Sequence, residues 1–191
     1  MIPSALARRL EERIGLDPNS LGTEAFRACV ARRMRETGSE DATAYAERLA
    51  RDENEIEEII DALLVGETWF FRYADAFDHL AATARAFAEE KPGTMFRVLS
   101  APCSTGEEAA SIAITLLEAG LEPRYVSVEG VDLSRKALAK ARRGVFGPSA
   151  FRGRSAASLE AWLGPAPGGW ALHPTVAQRI RYRHANLVDG L

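Results

Sequence analysis

The stretch FRVLSAPCSTGEEAASIAITLLEAGLEPRYVSVEGVD, residues 96–132, decides the fold. FRVLSA (96–101) is rich in apolar and β-forming residues and reads as a strand. Ala109, Ile112, Ala113, Leu116 and Leu117 then recur at helical spacing and predict a helix over 107–119, with Gly120 as its stop. YVSVEGVD (125–132) is a second strand. Strand, helix and strand in this order form one βαβ unit. Such a crossover makes the two strands parallel, so the expected fold class is α/β.

Upstream, residues 1 to about 90 read as helices. Ile56, Ile59, Ile60, Leu63 and Leu64 form an amphipathic stripe over 53–65, which Gly66 can end. Weaker versions of the period cover 4–14, 23–36 and 42–51, with Gly15 and Gly38 as stops. A further helix over about 74–90 ends at Lys91-Pro92-Gly93. Downstream, a helix over 134–143 starts at Ser134 and stops at Gly144. Residues 144–174 are rich in Gly and Pro and read as an insertion, with short strands around Trp170 to Leu172. IRYRHANL (180–187) alternates like a strand.

The chain has 191 residues, 47% of them apolar, enough for one or two domains with a sizeable core. No run of 18 apolar residues predicts a membrane span, so no membrane insertion is expected. MIPSALARRLEERIG lacks the apolar core of a signal peptide. Cys29 and Cys103 cannot make a disulfide scaffold, and a reducing cytoplasm is the expected setting. His79, His173 and His184 are scattered and there is no Cys-x-x-Cys, which argues against a structural zinc site. The net charge of −3 hides blocks. Arg27, Arg32, Arg33 and Arg35 stand without an acid, residues 52–61 hold six acids and no base, and residues 135–183 hold ten Lys or Arg against Glu160 alone. These are either solvated faces or partner surfaces.

In a βαβ unit a ligand sits at the carboxyl ends of the strands, here SAPCSTGEE (100–108). Gly106 permits a tight turn, and Ser104 or Thr105 can cap the following helix. The next strand ends in Asp132, at an offset suited to binding ribose hydroxyls. There is no G-x-G-x-x-G, and Glu107 and Glu108 would repel a pyrophosphate. A ligand with a ribose and a cationic group, such as S-adenosylmethionine, suits the pattern better. The alternative is that both acids only complement the helix dipole. Cys103 precedes a helix start, where a thiol pKa can fall, and it reads either as a nucleophile or as a structural, ligand-lining residue. GETWFFR (66–72) is either an interdomain plug with Arg72 at the surface, or a segment whose Thr68 and Arg72 face the ligand across the domain junction.

These motifs together resemble the CheR family, the chemotaxis receptor glutamate O-methyltransferases. VARRMRETG (30–38) and AYAERL (44–49) resemble its helical N-terminal domain, and GETWFFR its aromatic-aromatic-arginine motif. LSAPCSTGEEAASIAITL (99–116) resembles its glycine loop, VEGVDLSRKALAKARRGVF (128–146) its ribose-acid strand, and HANLVD (184–189) its Asn-Leu strand end. The resemblance implies a helical N-terminal domain over 1–75. It implies a partial, Rossmann-like methyltransferase domain over 76–191, with a small inserted β-subdomain at about 147–179. It assigns cofactor contacts to Thr68, Arg72, Glu107, Asp132, Asn186 and Leu187. Asp132 would hold the ribose, Asn186 and Leu187 would lie near the adenine, and Arg72 would lie close to the reacting centre. The cofactor would be S-adenosylmethionine, leaving S-adenosylhomocysteine, and the partner the cytoplasmic helical region of chemoreceptors. The basic helix 27–35 and the basic 135–183 stretch would suit an acidic receptor surface. Another methyltransferase acting on nucleic acid or a small molecule ranks second. No glycine-aromatic RNA-binding signature is present, and no nucleic-acid partner is expected.

Three features depart from the family pattern. Gly66 stands where many members have Asn, and Pro102 where a glycine is common. The family's later Arg-Asn…Tyr-Phe motif does not occur before Leu191, so residues 1–191 alone are expected to be a poor enzyme with an open sheet edge. A non-catalytic module that binds cofactor or receptor is the further alternative.

Overall fold

The computed structural model describes residues 8, 10–12, 14, 15, 23–64, 67–152 and 155–189. Gly66 and most of segment 4–14 lie outside the described residues. The chain forms two compact units, residues 1–65 with 186–191, and residues 66–185.

The first unit is helical, with α1 (Thr23–Thr37), α2 (Ala42–Arg51) and α3 (Glu53–Leu63). Asp41 caps α2, accepting from the Thr43 and Ala44 amides at 2.8 Å each. Asp52 caps α3 in the same way, through Asn54 and Glu55. Ile56, Ile59, Ile60 and Leu63 of the expected stripe are buried with Phe26, Val30, Tyr45 and Leu49. The charge blocks are partly internal, which corrects their reading as outward faces. Glu55 is buried and accepts two bonds from Arg33, Nε at 2.9 Å and Nη2 at 2.6 Å, and one from the Tyr45 hydroxyl at 2.7 Å. Arg33 also reaches Glu36 at 2.6 Å, so it belongs to this unit's core rather than to a partner surface. Hydrogen bonding to Glu55 raises the Arg33 pKa further. Burial first, and then Glu55, raise that of Tyr45.

The second unit contains α4 (Ala74–Glu90), β1 (Phe96–Ser100), α5 (Glu107–Glu118), β2 (Val126–Asp132) and α6 (Arg135–Arg143). The insertion follows with β3 (Val145–Phe146), β4 (Leu163–Ala166), β5 (Gly169–Leu172) and α7 (Pro174–Ala177), before β6 (Ile180–His184). The strands β1, β2 and β6 form a parallel sheet in that order, with Ser100 opposite Gly130 and Asp132 opposite His184. This is a Rossmann-like α/β arrangement. The insertion builds its own antiparallel sheet, ordered β3-β5-β4. Only glycine fits at 169, where φ is 148° and a Cβ would lie 2.0 Å from the Phe146 carbonyl oxygen.

The helix α5 is buried almost all round, and its alanines let α4, β1 and β2 approach closely. Parallel sheets are generally covered on both faces. Within this unit one face instead carries Arg97, Leu99, Arg181 and Arg183, with Arg183 paired to Glu129 at 2.8 Å. The final strand ends at His184, short of the expected 187, because Leu187–Asp189 turns into a 3-10 helix. Both β1 and β6 are outer strands among the described residues. No helix of the described residues is long and apolar enough to cross a membrane.

Candidate functional site

The loop from β1 to α5 is tied down by backbone hydrogen bonds. The Cys103 amide donates to the Val131 carbonyl at 2.9 Å, fastening the loop to β2. Asp132, at the end of β2, is buried. Its carboxylate accepts from the Ser104 amide at 2.7 Å and from the Ser134 amide at 2.8 Å. One side chain therefore fixes both loops, and it helps hold Ser104 at a φ of 47°. Gly106 has a φ of 97°, and a Cβ there would lie 2.6 Å from the Tyr182 hydroxyl oxygen and 3.0 Å from the Ala141 Cβ. Only glycine brings the loop this close to β6 and α6.

The expected capping by Ser104 or Thr105 does not occur. Gly106 is the N-cap of α5 and makes no side-chain bond. The Thr105 hydroxyl donates instead to Glu107 at 2.6 Å, and the Ser104 amide is used by Asp132. The two acids that open α5 also separate in role. Glu108 accepts from the Ser100 hydroxyl at 2.7 Å, back at the strand end. Glu107 is buried, and burial pushes its pKa up, against the lowering effects of Thr105 and Lys140.

That shift has a sign that can be measured. An unfolded glutamate has a pKa of about 4.3. Glu107 holds its proton to higher pH in the fold, so its contribution to stability is fully present below that value and is lost as pH rises through the folded pKa. Glu107→Gln should therefore melt higher than wild type at pH 7, with the difference shrinking toward pH 4. Melting curves at both pH values check this, and an equal or lower melting temperature of the variant at pH 7 would contradict it.

A cavity of about 350 Å³ brings Thr68, Thr105 and Glu107 together, and Lys140, Arg143 and Arg152 reach the same space. None of these three cations falls in a motif that marks it as a site residue in the sequence. Lys140 and Arg143 lie three apart on α6, which was the available signal. Neither Asp132 nor Ser104 is among the lining residues; their hydrogen bond fixes the loop whose next residue, Thr105, lines the cavity.

The aromatic segment anchors the unit. Phe70 is fully buried against Phe146 and Phe151, with ring centroids at 4.9 and 5.3 Å. Phe71 packs on Phe77, and its amide donates to the Ser111 hydroxyl at 3.0 Å. These two rings pack within their own unit. Arg72 is exposed, lies over the Trp69 ring at 4.5 Å and donates to the Glu67 carbonyl at 2.6 Å. It is not among the cavity's lining residues. Asn186 and Leu187 belong to the first unit, whereas Thr68, Arg72, Glu107 and Asp132 belong to the second. Cys103 is buried, and burial together with Asp132 pushes its thiol up to about 12, so the nucleophile reading falls and the structural one remains.

A parallel sheet with a left-handed glycine loop after its first strand and a buried acid closing its second defines a Rossmann-like fold of the methyltransferase type. The family model described as "CheR methyltransferase, SAM binding domain" matches residues 66–190, and the chain belongs to the CheR methyltransferase family. The chain is 38% identical over 183 residues to the probable biofilm formation methyltransferase WspC of Pseudomonas putida, covering 95% of this chain and 43% of that protein. The WspC of Pseudomonas aeruginosa is 37% identical, again over 95% of this chain and 43% of the relative. The chemotaxis protein methyltransferase of Salmonella typhimurium is 34% identical, over 84% of this chain and 56% of the relative. The chain thus spans about half the length of the curated relatives it matches.

Proposed function

We propose that this chain carries the cofactor-binding part of a cytoplasmic protein-glutamate O-methyltransferase. The enzyme would modify glutamate side chains in the helical region of chemoreceptors or related signalling receptors. The observation that carries this reading is the buried carboxylate of Glu107 beside Thr68 in one cavity, on a loop that Asp132 ties to the end of β2. This donor set fits S-adenosylmethionine. A buried acid suits a cationic ligand and disfavours a pyrophosphate, and an acid closing the second strand suits ribose hydroxyls. The names of the relatives, a chemotaxis protein methyltransferase among them, point to the same chemistry.

When bound, S-adenosylmethionine supplies a methyl group on a sulfonium centre and is left as S-adenosylhomocysteine. Asp132 would accept hydrogen bonds from the ribose with the lone pairs that Ser104 and Ser134 leave available. Glu107 would offset positive charge in the cavity, and Thr68 would line the methionine end. Asn186 and Leu187 stay proposed adenine contacts on the resemblance alone. The acceptor glutamate is ionised at pH 7, so no general base is needed. Cys103, whose thiol burial pushes up, is not suited to be one. The chain's contribution is then alignment and exclusion of water, for which about 7–11 kcal/mol is available from effective molarity.

Arg72 would guide the acceptor carboxylate. Its exposed position and the stacking on Trp69 predict a separation of function from stability. In the full-length protein, Arg72→Ala should lower methyl transfer by about 100-fold, the scale of losing one preorganised donor, while the melting temperature stays near wild type. Large destabilisation with normal specific activity would leave Arg72 as part of the plug only. The test of the reading as a whole is radiolabelled transfer to receptor-containing membranes, scored as base-labile methyl ester. Label appearing on nucleic acid or a small molecule instead would overturn it.

A further inference from the structure

Residues 135–183 carry ten cations against one acid, and the function proposed above uses none of them. The fold employs several internally. Arg142 donates to the Tyr182 carbonyl at 3.0 Å, Arg179 to the Pro123 carbonyl at 3.1 Å, and Arg183 pairs with Glu129 at 2.8 Å. Lys140 and Arg143 differ. They are exposed, they lie three residues apart on α6, and both line the cavity that holds Thr68 and Glu107. No hydrogen bond or ion pair among the described residues occupies either one. Arg152 reaches the same cavity from the insertion, paired with Glu67 at 3.1 Å and set over the Trp69 ring at 5.5 Å.

The cavity therefore joins a buried acid to exposed cations, and these two halves call for different ligands. The acid suits a cationic group held deep. The exposed pair suits an anionic segment arriving from solvent, where charge sets approach and register more than raw affinity. The spacing is also restrictive. Side chains three apart on a helix have Cβ atoms about 5–6 Å apart, and so do acids at i and i+3 or i+4 on another helix. Two neighbouring cations on α6 thus match two successive acids on one helical face.

We infer that Lys140 and Arg143 are substrate-positioning residues. They receive two successive carboxylates beside the acceptor glutamate on an acidic helical segment of the partner. This rests on the methyltransferase reading above, and it names the surface that selects the substrate.

The test uses the full-length protein and two labelled helical peptides, one with glutamates at i, i+3 and i+7 and one with glutamines there. Fluorescence anisotropy at low salt, without cofactor, should show the glutamate peptide binding about tenfold tighter. The double substitution Lys140→Glu/Arg143→Glu should abolish that preference. Arg143→Lys should keep it, because a point charge is sufficient. The double variant should also raise the KM for methyl transfer to the glutamate peptide by about tenfold. Melting curves establish that it is folded, and Lys140→Gln/Arg143→Gln, which should lose the preference too, serves if it is not. A wild-type protein that binds both peptides equally, or variants that keep the preference, would overturn the inference. Methyl-ester formation on the glutamate peptide by the wild type tests the methyltransferase reading separately, since the binding arm needs no turnover.

Discussion

Asp132→Ala should weaken S-adenosylhomocysteine binding by about 100-fold, measured by calorimetry on the full-length protein. Hydrogen bonds to a charged group contribute about 1.5–3 kcal/mol each, and each 1.4 kcal/mol is about tenfold in affinity. The loss has two sources. The acceptor proposed for the ribose is removed, and the loop is released, because the amides of Ser104 and Ser134 both end on this carboxylate. Ser104 sits at a φ of 47°, a strained conformation for a residue with a side chain, so it should relax once that bond is gone. Asp132→Asn separates the two sources. One amide oxygen can still accept from one backbone N–H, so the loop is partly retained while the charge is lost. Its affinity should fall between those of wild type and Asp132→Ala. Unchanged affinity in the alanine variant would remove Asp132 from the site.

Glu55→Ala should destabilise the helical unit by about 3–5 kcal/mol, the scale of breaking a buried ion pair from one side. The carboxylate accepts from Arg33 Nε and Nη2 and from the Tyr45 hydroxyl. The side chain of Arg33 is only 13% exposed and Tyr45 is fully buried, so alanine leaves the Tyr45 hydroxyl without its partner and the guanidinium to Glu36 and Glu58 alone. Urea unfolding followed by far-UV circular dichroism reads the loss as an earlier fall of the helical signal. Replacing both partners, as Glu55→Leu/Arg33→Met, should recover most of the stability, since no buried charge is then orphaned. A single variant within about 1 kcal/mol of wild type would mean that water reaches the network and that the pair is in effect a surface one.

Periodicity alone determined most of the secondary structure. The stripe at Ile56, Ile59, Ile60 and Leu63, the helix that begins at Glu107 and the two strands around it all follow from local spacing, which needs no knowledge of distant residues. The glycine loop and the acid closing β2 were legible for the same reason, since both sit at fixed offsets within one βαβ unit. Assignments that depend on which groups meet in space were not. Whether Arg33 faces a partner or a buried carboxylate depends on Glu55, 22 residues away on another helix. Glu107 and Glu108 are adjacent and chemically alike, yet one is buried against Thr105 and the other turns back to Ser100. Neighbouring helix positions point about 100° apart, and only the packed sheet decides which direction is interior. The capping expected of Ser104 and Thr105 gave way because Asp132, 28 residues beyond Ser104, competes for the same loop. Lys140 and Arg143 read as two among ten cations until the insertion and α5 enclose the cavity they line. The sequence by itself thus determined the elements, their order and the glycine loop between β1 and α5. Only the tertiary structure decided which charges are internal supports and which remain available to a ligand, because burial and pairing arise from contacts between segments that are distant along the chain.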